Sequence, residues 1–257
     1  MTFRRLTIAI AVAVTCIYLV LVGSLFTFID SGRLFTALGS DRVMFSIGLS
    51  VKAALIATFL AIIIAIPSAY ALSRYNFPGK DLVDMLLELP LIVTPVALGA
   101  MLLIFFNTRT GVGLQQHIWQ FVFEFSGIVL AQFLTTAGLA IRTIRSTFDA
   151  ISPRYEAVAC TLGATPARAL FTITLPMARN GILAATVVCF AKCIGEFGAT
   201  IMVAGAMPMK SETMPVSIFM RLGSADIEGM AMMILILLAV GLAVLLFLKF
   251  ILRAKYD

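Results

Sequence analysis

The chain has 257 residues, of which 61% are hydrophobic and only 12% charged, with a formal net charge of +6. Soluble domains carry about 25% charged residues, so a soluble enzyme fused to one anchor is excluded. An outer-membrane barrel is excluded too, because its strands alternate apolar and polar residues over about 10 positions, whereas here the apolar runs are continuous. The chain reads as an all-α integral membrane protein.

Taken in chain order, the apolar runs predict six spans, over 6–29, 43–72, 82–106, 127–148, 181–206 and 229–252. At about 1.5 Å per residue, each is long enough to cross a hydrocarbon core of about 30 Å. The first follows Arg4 and Arg5, but its apolar run exceeds the 7–15 residues or so of a secretory signal, and it reads as a retained helix. Pro67 in the second span and Pro90 and Pro95 in the third each remove an amide donor, which predicts kinks. No inverted pair of short, broken helices of the secondary-transporter kind is evident. With the amino terminus placed in the cytoplasm, twelve Lys and Arg residues fall inside and five outside. The positive-inside rule then puts both termini in the cytoplasm of a cell with this protein in its inner membrane. Topology accounts for the positive charge without nucleic acid, and the sequence reads as one domain, 1–257.

Between the fourth and fifth spans, the loop 149–180 is longer than a helix connection needs. Ser152 with Pro153 starts one short helix and Gly163 ends it. Thr165 with Pro166 starts a second, expected to pass through Arg168 and Phe171 and to stop before Leu175 and Pro176. Two such helices form a knob suited to a groove on another protein, with a solvated helix pair as the plainer alternative.

The run from Glu156 to Gly163, continued from Ile173 to Pro176, resembles the EAA loop of ABC importer permeases. In that family a glutamate usually stands six residues before the glycine; here Ala157 does, and Glu156 is one earlier, a turn of about 100° on a helix. The resemblance implies a coupling-helix hairpin that docks on an ATP-binding subunit, carried by Glu156, Ala157, Ala159, Leu162, Gly163, Pro166, Leu175 and Pro176. Gly163 would make the turn, Ala159 and Leu162 the close packing, and Pro166 would fix the second helix.

Lys192 and Glu196 stand four apart in the fifth span. A charge within a bilayer costs about 2.5–3.5 kcal/mol, so the two are expected to face the interior and to pair on one helix face. They read equally as a structural ion pair or as an anion path in which Glu196 partly neutralises Lys192. The surrounding run from Gly195 to Thr200 resembles molybdate permeases and, more loosely, sulfate permeases. Phe77 to Lys80 and Glu88 to Pro95 agree with it.

The family resemblance implies the type I ABC importer permease fold and transport of molybdate or tungstate, with a sulfate or thiosulfate permease as the alternative. It implies a homodimer, two cytoplasmic ATP-binding subunits that hold ATP and Mg, and an external oxyanion-binding protein. No cofactor is expected on this chain. Lys192, Gly195, Glu196, Gly198 and Thr200 would line the path or gate, with weak donors near Ser50 and Thr94. Lys52 is expected to snorkel toward the outer headgroups. Outside, His117, Trp119, Phe121, Phe123 and Phe125 read as an interfacial belt in contact with lipid or as a docking surface for the binding protein.

A lone His117 excludes a multi-histidine metal site, and Cys16, Cys160, Cys189 and Cys193 form no CxxC pair. No metalloprotease motif, phosphate-cradling glycine loop or nucleophile with its base is present, so the chain is not expected to be an enzyme. An ion-coupled carrier in which Lys192 and Glu196 titrate is the rival class, but it would not need the cytoplasmic knob.

Overall fold

A computed structural model describes residues 2–28 and 39–254. Ile29, where the first expected span ends, and Arg33 and Lys255, one outer and one inner residue of the charge count, lie outside them. Among the described residues there is no strand. Five helices are long and apolar enough to cross a membrane, and a bent pair makes up to six.

Helix α1 (Thr2–Leu25) touches the last helix but is otherwise exposed on all sides in the single chain. Helix α2 (Asp41–Arg74) has 34 residues and continues through Pro67. Ala53, Ala57, Ala61, Ala65 and Ala69 lie fully buried along it, a stripe at helical spacing that lets neighbouring backbones approach.

The third span is not one continuous helix over 82–106. It consists of α3 (Lys80–Leu87), α4 (Leu89–Ile92) and α5 (Pro95–Phe106), and the chain turns by 112° between α4 and α5. Pro95 has no amide to donate back into α4, and it suits the first position of a new helix. Thr94 caps that helix, its hydroxyl accepting from the Ala97 amide at 3.3 Å.

After α6 (Arg109–His117), helix α7 (Phe125–Asp149) packs along α2. Gly138 on α7 lies against the Leu87 carbonyl, which a Cβ would meet at 2.2 Å.

The hairpin follows. Helix α8 (Arg154–Thr161) ends at Gly163, whose φ is +91°, and α9 (Pro166–Ala169) begins the return. The return arm does not stop before Leu175. It passes through a π turn (Leu170–Thr174) into α10 (Leu175–Ile194), the first part of the fifth span. Pro176 cannot donate to the carbonyl four residues back, and an α-helix would drive its ring into that carbonyl. The π turn, in which the Leu175 amide donates to Leu170 O, opens the helix at this point and lets it continue.

The fifth span then breaks. Helix α10 ends at Ile194, and α11 (Gly198–Ala204) starts anew after Gly195, Glu196 and Phe197. Helices α12 (Met214–Gly223) and α13 (Ile227–Ala254) complete the bundle. One core cluster gathers Ile128, Phe190, Met214 and Met233 toward the far end, and another gathers Ile141, Ile144 and Phe148 toward the hairpin.

Candidate functional site

The hairpin is fastened by a buried carboxylate. Glu156, only 8% exposed, turns back into the molecule. Its Oε2 accepts from the Tyr70 hydroxyl at 2.7 Å, and its Oε1 accepts from Arg74 Nε and Thr174 Oγ1, each at 2.8 Å. Tyr70 and Arg74 come from one face of the last turn of α2, and Thr174 from the π turn. One carboxylate thus joins both arms of the hairpin to the second span. Arg74 Nη2 also donates to Ile151 O at 2.9 Å, holding the chain just before α8.

Burial alone pushes the Glu156 carboxyl up. The hydrogen bonds from Tyr70, Arg74 and Thr174, with the Arg74 charge, outweigh it and leave the carboxyl below its ordinary value. The group stays ionised and paired.

The tip of the hairpin carries exposed apolar side chains. Leu162 is 84% exposed, and Val158 and Phe171 are also exposed. Leu162 is thus left almost uncovered by its own chain. Ala157 and Pro176 are exposed, while Ala159 and Leu175 are half-buried. Pro166 begins α9, capped by Thr165, whose hydroxyl accepts from the Arg168 amide at 3.3 Å.

Lys192 and Glu196 do not share a helix face, because α10 ends between them. Among the described residues no ion pair joins them. Glu196, 5% exposed, instead accepts from the Ala199 amide at 3.0 Å and so caps α11. Lys192 lies half-buried in the last turn of α10, and Gly195 is exposed at the break. Thr200 is fully buried, and its hydroxyl has no hydrogen-bond partner. Lys52 is exposed on α2, and Ser50 accepts from the Met214 amide at 2.7 Å.

The two broken spans meet. A Cβ on Gly198 would lie 2.8 Å from Val96 Cγ2 and 3.0 Å from the Val96 amide. Helices α5 and α11 therefore start side by side and run in the same direction, with Thr94 and Glu196 capping adjacent ends. The breaks are sharper than the kinks expected, and the two half-helices run parallel and not as an inverted pair.

At the far end, Arg42 grips the buried Glu212 with Nε at 2.8 Å and Nη2 at 3.0 Å. Lys210 meets Glu124 at 2.6 Å, and Trp119 and Phe123 stand exposed nearby in sequence. Among the described residues no group of His, Cys, Asp and Glu is arranged to hold a metal ion.

Sequence reasoning missed Tyr70, Arg74 and Thr174. The available signal was a tyrosine and an arginine four apart at the end of a span.

Comparison with known proteins agrees with this arrangement. A family model described as binding-protein-dependent transport system inner membrane component matches residues 57–255. The molybdenum transport system permease protein ModB of Escherichia coli K12 is 35% identical over 213 residues, covering 81% of this chain and 93% of that protein. A probable molybdenum ABC transporter permease of Haloferax volcanii is 32% identical over 95% of this chain and 89% of its own. The sulfate transport system permease protein CysT of Salmonella typhimurium is 29% identical, covering 80% of this chain and 75% of that protein.

Among solved structures, a bacterial ABC transporter that imports the acidic polysaccharide alginate contains a chain with a TM-score of 0.76 at 18% identity, covering 93% of this chain and 90% of that one. A bacterial alginate ABC transporter in complex with an alginate pentasaccharide-bound periplasmic protein gives 0.77 at 16% identity, covering 99% and 96%. The fold is that of ABC importer permeases, and the chain belongs to the binding-protein-dependent transport system inner membrane component family.

Proposed function

We propose that this chain is the membrane subunit of an ATP-driven importer that carries molybdate or tungstate into the cytoplasm. It works as two identical copies, with two ATP-hydrolysing subunits at the hairpin end and an oxyanion-binding protein at the far end. The observation that carries this reading is the hairpin itself: Glu156 fixes it rigidly while Val158, Leu162 and Phe171 stand in the open, on a chain that resembles molybdenum permeases over most of its length. An apolar tip on an otherwise polar end needs a protein partner to cover it. ATP and Mg belong to that partner. The excess of Lys and Arg on the hairpin side supports a cytoplasmic position for that end and for both termini.

When the motor subunits close on ATP, the two hairpins move as rigid bodies and shift the pore between its two arrangements. The start of α5 presents partial positive charge, with Lys192 nearby in sequence, while the Glu196 carboxylate offsets that of α11. Such contacts favour an oxyanion without gripping it, which transit requires. Gly195, Glu196, Gly198 and Thr200 shape the break that makes this possible. Sulfate is the second reading, favoured by the sulfate permease relative.

Proteoliposomes holding this chain with its ATPase and binding protein test both readings. ATP-dependent uptake of labelled molybdate, little reduced by excess sulfate, is expected. Uptake by this chain alone under a proton gradient would sink the proposal in favour of an ion-coupled carrier.

A further inference from the structure

The Glu156 anchor does not end at Arg74. Arg74 Nη1 donates to Ser73 Oγ at 3.1 Å, and Ser73 Oγ donates to Asp149 Oδ1 at 2.5 Å. The other oxygen of Asp149 lies 3.6 Å from Arg145 Nε, and Arg145 Nη1 reaches Asp84 Oδ1 on α3 at 2.5 Å. Polar contacts thus run without interruption from the hairpin through the end of α2 and the end of α7 to α3, which leads into the 112° bend.

From this we infer that the chain Glu156, Arg74, Ser73, Asp149, Arg145, Asp84 is a transmission element. It carries displacement of the hairpin to α3 and α4 and, through the bend, to the start of α5. The inference rests on the importer reading above.

Three features support it. First, α3 and α4 contain no fully buried residue, and their contact with the core is made by the half-buried Leu87, so little apolar surface holds them and a polar tether can move them. Second, the hairpin end of the chain is firm: the Arg74 and Glu156 side chains are 7% and 11% exposed, where an ion pair is little screened. Third, Arg145 faces two carboxylates at unequal distances. A shift of Asp149, pulled through Ser73, trades one pairing against the other, and such a two-position element is what coupling between distant sites requires. By contrast, Arg142 and Glu88, 3.8 Å apart with both side chains largely exposed, form a surface pair of little energetic consequence.

The test uses the complete transporter in proteoliposomes, with molybdate uptake and ATP hydrolysis measured side by side. Ser73→Ala and Asp84→Asn should each lower molybdate carried per ATP by about fivefold, while stimulated hydrolysis stays within about twofold. The double variant should lose no more than the worse single, because both cut one chain. Losses that multiply, or an unchanged ratio in both single variants, would overturn the inference.

A second readout needs no substrate. Spin labels at Arg154→Cys and Asp81→Cys, with Cys16 and Cys160 replaced by Ser, report the separation of hairpin and α3 when ATP is trapped on the motor. The separation should stay narrowly distributed in the parent and broaden in the Ser73→Ala variant; equal distributions refute the transmission. Absence of molybdate uptake in the parent would count against the importer reading instead, and the label distances would still decide this one.

Discussion

Gly99 on α5 and Ala199 on α11 approach so closely that a Cβ on Gly99 would lie 2.8 Å from the Ala199 Cα and equally close to Met202 Cβ. The obstacle is partly backbone, which no side-chain rotation relieves. Gly99→Ala should therefore cost about 1–3 kcal/mol by forcing the half-helices apart, read as a lower melting temperature in detergent. Gly48→Ala, whose added Cβ meets nothing within 4 Å, is the control that loses nothing.

Removing Glu156 leaves Arg74 buried beside an orphaned Tyr70 hydroxyl and Thr174. Glu156→Ala is expected to cost about 3 kcal/mol, the penalty of an uncompensated buried charge. Protease cleavage within 150–165 should accelerate, since the anchor joins both arms to α2.

The same carboxylate sets a pH dependence. Its folded value lies below the ordinary one, so its contribution is fully present above the unfolded value near 4.3 and is lost as pH falls through the folded value. The difference in melting temperature between the parent and Glu156→Gln should hold constant above about pH 5 and shrink below about pH 4. A difference that grew on acidification would contradict the anchor.

Gly163 occupies φ +91° with open space around its missing Cβ, so the barrier to substitution is the backbone and not a clash. Gly163→Val should cost about 1–2 kcal/mol and abolish ATP-driven uptake, while Gly163→Asn, which tolerates left-handed geometry, should retain most of it. Equal uptake by the two variants would show that the turn's geometry is not what matters.

Leu162 stands almost wholly in the open, so Leu162→Asp should leave stability within about 0.5 kcal/mol of the parent, read as an unchanged melting temperature. It should nonetheless abolish co-purification with the ATPase subunit. Thermal melting of the variant chain checks the first outcome and gel filtration of the assembled transporter the second.

The number of spans and the hairpin were legible because hydropathy, the Pro166 start and the Gly163 stop are local signals. The breaks were only half legible. Pro90 and Pro95 announced a disturbance, but its 112° size depends on what α5 packs against. The break after Ile194 was hidden by the spacing of Lys192 and Glu196, which suits a continuous helix as well as a capped restart. Pro176 read as a stop because a π turn has no sequence mark of its own. The Glu156 anchor was invisible for a different reason: its partners Tyr70 and Arg74 lie 86 and 82 residues away, and Arg74 had already found an explanation as a topological charge.

The π turn at Leu170–Thr174 has a geometric corollary. It inserts one surplus residue into what is otherwise a single rod from Pro166 to Ile194. Deleting Phe171 would restore the ordinary repeat with the two flanking segments nearly unchanged in phase, because a π turn absorbs one extra residue within a single turn. The turn thus houses the extra residue, and the proline after it, without altering the direction in which the protruding tip faces its neighbour.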